Sequence, residues 1–414
     1  MRIAHFSPLP PQQSGIADYC AALLPYLAQH VAIDAFIDSD DLSAAHYALR
    51  NMPALSTENQ DLGYGIRPLS DFLQSPQLRA EYDLCLYHMG NAPIFHEKLY
   101  TTLLRYPGIT LLHEINLHAF HLNRTLTVNR DAAYIREMGY AGGLAGVAQA
   151  RALLAGEQLN LADYPLFERI VDISLSIIVH TEFAKQIVLH KRPAAKVTHI
   201  PHAVKLPILT ETAVRPALIN HLSPHTVLLG TFGFIAPSKR IEIVLAALAK
   251  LRHNLPDFHY VIVGKPISGY ALELLIDELN LNDVVTMTGF VDDRTFQTYL
   301  SAVDIGINLR TGPTGGEMSG TLVRLMAHAC PTLVSDVGGF AAFPDESVIK
   351  IKQDATEEQQ LVDILTSLLT DGDMRQKYGQ AARAYVQKTQ SFEEVSQQIV
   401  TFMGHRHVLG DTKV

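Results

Sequence analysis

Short apolar runs, each followed by a glycine- or proline-containing turn and then by apolar residues at helical spacing, recur along the whole chain. RIAHFS (2–7) leads into the loop PLPPQQSGIADY (8–19) and a predicted helix over about 17–30, with Ala21, Leu23, Leu24 and Leu27 on its apolar face. AIDAFID (32–38), DLCLYHMG (83–90), ITLLHE (109–114), LSIIVHT (175–181) and KVTHIPH (196–202) continue as strands. This β–loop–α–β order opens a parallel α/β sheet. Residues 128–168 lack strand character and are rich in Ala, Gly and Leu, which predicts helices inserted between strands of the first half.

A proline-containing stretch without periodicity at about 203–225 reads as a connection, and a second α/β series follows it. Its strands are TVLLGTFGFI (226–235), HYVIVG (259–264), VVTMTGFV (284–291), DIGINLR (304–310), PTLVSD (331–336) and SVIKI (347–351). Helices are expected over 239–252, 269–280, 293–302, 356–370, 372–388 and 392–402. The pattern predicts two doubly wound halves, 1–205 with an insertion near 114–170, and 206–390, with 391–414 packing back on the first. Open parallel sheets bind ligands at the carboxyl ends of their strands, so a cleft between the halves is the expected active site.

Composition narrows the choice. At 414 residues, 48% hydrophobic and 18% charged, the chain suits two or three globular domains. A net charge of −9 argues against nucleic acid as a partner. The basic cluster Lys185, His190, Lys191, Arg192 and Lys196 reads as a solvated helix end, which leaves peripheral membrane contact open. Cys20, Cys85 and Cys330 are far apart in apolar surroundings and read as buried thiols in a reducing compartment, not as a disulfide framework or a metal site. With no signal-peptide pattern and no run of about 20 apolar residues, the chain reads as cytoplasmic.

The stretch GGEMSGTLVRLMAHACP (315–331) carries the main chemical candidate. Its glycines precede a helix that Ser319 can cap, and backbone N–H groups at such a helix start suit phosphate. Three other strand ends join it: Ser14-Gly15-Ile16-Ala17, the basic loop Gly233–Arg240 with Lys239 and Arg240, and Gly289-Phe290-Val291. Cations opening a helix oppose its dipole, which suggests an anionic partner. His113-Glu114 and His118 have the spacing H-E-x-x-x-H, which does not place two histidines one turn apart, so a zinc site is not expected there. No dinucleotide fingerprint, nucleophile elbow or P-loop is present.

GFIAPSKR, YVIVGKP, VTMTGFV and GGEMSGTLVRLMAHACPTLVSDVGG, with SPLPPQQSGIADY and LLHE near the N-terminus, resemble the retaining glycosyltransferases of family 4. That resemblance implies the GT-B fold and a metal-independent transfer from a UDP- or GDP-sugar to a carbohydrate or lipid-linked acceptor, in glycan or glycolipid synthesis. By position it implies Lys239 on the diphosphate, Gly15 and Ile16 near it, His113 at the donor sugar, and Gly289, Phe290 and Val291 around the base. Gly316, Glu317, Met318, Ser319, Gly320 and Thr321 fall where the family surrounds phosphate and sugar.

Two positions depart from the family. Phe234 stands where an arginine is usual, with Arg240 or Arg310 available to replace that cation. Arg324 stands where the second glutamate accepts ribose hydroxyls, which an arginine, having donors only, cannot do. Glu317 lies one residue from the first glutamate's place. Two other readings stand beside it: a sugar-nucleotide epimerase of the same fold, which would want an acid–base carboxylate pair such as Glu317 with Glu114 or Asp18, and a non-catalytic partner subunit with a degenerate site, which Phe234 and Arg324 would suit.

Overall fold

The computed structural model describes residues 1–39, 41–50, 62–209, 215–252 and 257–408, the last helix with side chains to His405. Residues 210–214 of the expected connection and 409–414 of the tail lie outside the described residues. The chain forms two α/β units. The first takes in Met1–Ala203, Gly315–Met318 and the chain from Phe392, and the second takes in Val204–Thr314 and Ser319–Ser391.

In the first unit, seven strands form one sheet: β1 (Arg2–Phe6), β2 (Ala32–Ile37), β3 (Gly65–Pro68), β4 (Leu84–Met89), β5 (Ile109–Leu112), β6 (Ser176–Val179) and β7 (Val197–His199). Their order is β3-β2-β1-β4-β5-β6-β7, and every pairing is parallel. The central strands are buried along their length, β4 at every residue, because helices cover both faces. Leu23, Leu24 and Leu27 of helix Gly15–Ala28 pack with Val395, Ile399 and Met403 of helix Phe392–Val408. On the other face, Phe6, Phe36, Phe72 and Tyr87 form an aromatic core, with Phe6 stacked 4.5 Å from Tyr87.

Strand β3 and helix Leu42–Arg50 are absent from the sequence reading. GIRP is short, polar and ends in proline, as an edge strand allows, so it carries no strand periodicity. The stretch 128–168 contains helix Asp131–Leu154, bent at Gly143, with a small core of its own around Tyr134, Met138, Ala150 and Leu166.

The second unit holds β8 (Val227–Phe232), β9 (Phe258–Val263), β10 (Val285–Gly289), β11 (Ile305–Asn308), β12 (Thr332–Ser335) and β13 (Ile349–Ile351), in the order β10-β9-β8-β11-β12-β13, all parallel. Chain direction across the sheet reverses between β1 and β4 in the first unit and between β8 and β11 in the second. Loops leaving those strand pairs diverge and open a crevice at the carboxyl ends, which is where open α/β sheets bind ligands. The three cysteines are free and buried. No described helix is long and apolar enough to cross a membrane.

Candidate active site

In the second unit the switch point places Lys239 after β8 and Arg310 after β11. Lys239 ends the short turn Pro237–Lys239 and is 8% exposed. Its Nζ donates to the carbonyl of Phe232 at 2.7 Å, a neutral acceptor. Among the described residues, no carboxylate forms an ion pair with it. Burial, and then the charge of Arg310, push its ammonium down to about 7. A buried cation beside a second cation is the arrangement an anion relieves.

The rest of this half-site converges on the same point. Arg310 donates to the carbonyl of Leu309 at 2.8 Å and to Ser319 Oγ at 3.3 Å. Ser319 caps helix Gly320–Ala327 by accepting the Leu322 N–H at 3.2 Å, and its hydroxyl donates to Asn308 Oδ1 at 3.0 Å. The cap aims the helix start, with Gly320 and Thr321, at the same end of the sheet as the two cations. Asn308, at the end of β11, leaves its buried Nδ2 donor without a partner. Gly233, at φ +93°, has Lys239 Nζ 3.6 Å and Thr321 Oγ1 3.8 Å from where a Cβ would stand. A Cβ on Gly264, at φ +148°, would meet the Gly233 carbonyl at 1.9 Å, so both glycines let these loops close tightly.

Other candidates of this unit lie differently. Arg240 is paired with Glu357, a carboxylate only 2% exposed, so its charge is already compensated. Arg324, in the last turn of helix Gly320–Ala327, lies over the Phe296 ring at 5.9 Å. Gly289 has a φ of +67°, Phe290 is 80% exposed, and Val291 packs at the margin of the Phe232 core. Phe234 is 82% exposed.

In the first unit, Ser14 caps helix Gly15–Ala28 through the Ile16 N–H, 3.3 Å from its Oγ. Gly15 is exposed with open space where a side chain would stand, so a ligand can come close to the backbone there. Ile16 packs where a Cβ on Gly90 would stand, at the β4 end of this switch point.

Residues Gly315–Met318 also belong to this unit. Gly316, at φ +77°, has its carbonyl held by Thr181 Oγ1 at 3.1 Å, and a Cβ there would crowd Ile115 at 2.9 Å. Glu317 is thereby brought near Glu114: a Cβ on Gly315 would lie 3.3 Å from Glu317 Oε2 and 3.9 Å from Glu114 Oε1. Burial, and then the charge of Glu317, push the Glu114 carboxyl up to about 7. Met318 ends this segment.

His113 follows β5. Burial, and then the neighbouring His180 and His88, hold it well below the usual histidine range, so it is a neutral imidazole near pH 7. His118 is occupied in the core, with Nδ1 2.6 Å from the Tyr164 carbonyl and Nε2 2.7 Å from the Tyr134 hydroxyl. Asn308 was not a candidate from the sequence. A polar residue ending an apolar strand was its only mark.

Residues 224–385 match the family model described as Glycosyl transferases group 1. An uncharacterised glycosyltransferase of Bacillus subtilis, YqgM, is 26% identical over 220 residues, covering 53% of this chain and 58% of that protein. The chain thus aligns with somewhat over half the length of that relative. Among solved structures, sucrose-phosphate synthase from Thermosynechococcus elongatus superposes with a TM-score of 0.65 at 18% identity over 98% of both chains. Anabaena HepE in complex with UDP-glucose does so with a TM-score of 0.60 at 15% identity, over 98% of this chain and all of that one. Residues 224–385 are thus similar to the Glycosyl transferases group 1 family, in a two-unit chain with the GT-B fold of its structural neighbours.

Proposed function

We propose that this protein is a retaining glycosyltransferase that moves a sugar from a nucleotide-diphosphate sugar to an acceptor hydroxyl. The observation that carries the reading is Lys239, a buried ammonium whose hydrogen-bond partner is a neutral carbonyl and whose neighbour Arg310 is also cationic. A diphosphate supplies the missing negative charge. Its own charge grows as the glycosidic bond breaks, so Lys239, Arg310, the Asn308 amide and the amides at Gly320 and Thr321 stabilise the departing group more than the bound donor. These cations take the part a divalent metal plays elsewhere. Donor binding is assigned to the second unit and acceptor binding to the first.

His113, expected at the donor sugar, has both ring nitrogens bonded to His88 and His180 and meets a sugar through its ring carbons, so Glu317 is the hydrogen-bond acceptor for the sugar hydroxyls. The base-side loop Gly289-Phe290-Val291 offers backbone groups and an exposed ring to a planar base. A UDP-sugar is the first donor to try, since HepE binds UDP-glucose on the same fold. The acceptor class is a carbohydrate or a lipid-linked sugar.

Thermal-shift measurements with UDP, GDP, ADP and their sugars test the reading, because a ligand of the folded state raises the melting temperature. Slow donor hydrolysis by the wild type, lost in Lys239→Ala and Glu317→Ala with the fold intact and unchanged by added Mg2+ or Mn2+, is the expected result. No shift with any nucleotide would overturn it.

The proximity of Glu114 and Glu317 favours one other reading, an epimerase, because a carboxyl poised near pH 7 beside a carboxylate can exchange protons with a sugar. Incubation with a UDP-sugar alone separates the two: a transferase releases nucleotide, and an epimerase returns an isomeric sugar nucleotide.

A further inference from the structure

Several histidines meet at the carboxyl ends of the first sheet, and their hydrogen bonds have a direction. His180 Nδ1 lies 3.1 Å from the carbonyl oxygen of Ile200. A carbonyl only accepts, so that nitrogen carries the proton and His180 Nε2 is a lone pair. His113 Nδ1, 3.3 Å away, must donate to it. His113 Nε2 must then accept from His88 Nδ1, 3.0 Å away. One backbone carbonyl therefore fixes the tautomer of three imidazoles and leaves His88 Nε2 as a bare lone pair. That atom is buried and has no partner.

The unpartnered lone pair has company. His5 is fully buried with its ring centroid 4.7 Å from that of His88. Ser7 Oγ, 3.4 Å from His5 Nδ1, can take the proton there, and His5 Nε2 is likewise buried without a partner. Cys20, fully buried, supplies a thiol, and one ligand atom from each of His5, Cys20 and His88 lies within 4.8 Å of the others. We infer that His5, Cys20 and His88 form a binding site for a thiophilic d10 cation, Zn2+ or Cu+, held by one thiolate and two imidazoles.

Such a cation would give the bare His88 Nε2, which has no partner of its own, a bond in the buried site. Each imidazole already has the supporting bond that metal-ligating histidines use: His88 Nδ1–H to His113, and His5 Nδ1 to Ser7. Tetrahedral coordination would bring the ligand atoms to about 3.5 Å from one another, a closure of roughly 1 Å from the upper limit of their spacing. Without metal, burial holds Cys20 as a thiol. On binding, the S–H proton is released to solvent and the sulfur–metal bond replaces it. Cu+ with one thiolate makes a neutral three-coordinate site, whereas Zn2+ keeps one net positive charge and requires a fourth ligand. Either cation would lock the tautomer chain that orients His113.

The test uses the full chain, purified under reducing conditions and stripped of metal. Co2+, as a probe for Zn2+, is titrated and followed by thiolate-to-metal charge-transfer absorption, and Cu+ is titrated against a colorimetric chelator. About one equivalent of Co2+ with the charge-transfer band, or about one equivalent of Cu+, is expected. Both should be lost in Cys20→Ala and in His88→Asn, with circular dichroism confirming that the variants fold. A wild type that binds neither cation stoichiometrically overturns the proposal without recourse to any variant, as does a Co2+ band that survives in Cys20→Ala. None of these outcomes depends on the transferase reading, which nucleotide binding tests separately.

Discussion

At the scale of single residues, buried Lys239 and half-buried Glu114 govern how the protein should respond to pH. Lys239 titrates at about 7 in the fold and at 10.5 when free. Its charge therefore costs the fold most below pH 7, and the cost disappears above the free value. A bound diphosphate reverses the preference, so binding above pH 7 takes up a proton. Affinity for UDP-glucose, whose own phosphates do not titrate there, should fall up to about tenfold per pH unit above 7.5. Calorimetry in buffers of different ionisation heat should record the proton uptake, and Lys239→Met should abolish it together with most of the affinity.

Glu114 has the opposite sign of charge and also loses by ionising. Its carboxyl is raised from 4.5 to about 7, so folding stability contributed by this group falls as pH rises from 4.5 through 7. Glu114→Gln should therefore stabilise the protein at pH 8 by up to about 3 kcal/mol and change nothing at pH 4, as denaturant titrations at the two pH values would show. Lys239 was legible as a candidate from its loop, but its burial was not. Nor was the charge of Arg240 spent on Glu357, because 117 residues of chain separate the pair.

At the scale of elements, helix Gly320–Ala327 joins fold to chemistry through one hydroxyl. The cap at Ser319 was legible because serine stands directly before an apolar run at helical spacing, a local signal. Its bonds to Arg310 and Asn308 were not, since they depend on β11 lying beside that helix start. Two substitutions separate the roles. Ser319→Ala removes the cap and should cost about 1 kcal/mol. Ser319→Asp keeps a capping oxygen, and its charge suits both the helix start and Arg310, so melting should be held or raised. The same charge occupies the anion site, and nucleotide-sugar affinity should fall at least about tenfold. A Ser319→Asp variant with wild-type affinity would show that the helix start does not face phosphate. Among strands, those buried on both faces announced themselves as continuous apolar runs, whereas β3 did not, because GIRP draws its place from pairing along β2.

At the scale of the whole molecule, the linear order of the chain hides its division. Both described ends belong to the first unit, and the crossings at Val204 and Ser391 are bridged to each other. The last helix, expected from the sequence to pack back on the first half, belongs to the first unit, but which side chains it would meet there is not legible in its periodicity. Phe392 stacks on Tyr26 at 5.4 Å, and Val395, Ile399 and Met403 are fully buried against the helix that begins at Gly15. Four buried apolar side chains at about 1.5–3 kcal/mol each amount to roughly 6–12 kcal/mol, comparable to the entire stability of a domain. A chain ending at Ser391 should therefore lose the first unit while keeping the second, whose strands β8–β13 and their helices are untouched by the cut. Hydrogen exchange would resolve the two: protection should collapse across 2–112 and persist across 227–351. Wild-type protection in both would mean that the last helix only decorates the first unit, and that β1 and β4, with the histidines they carry, are held by the sheet alone.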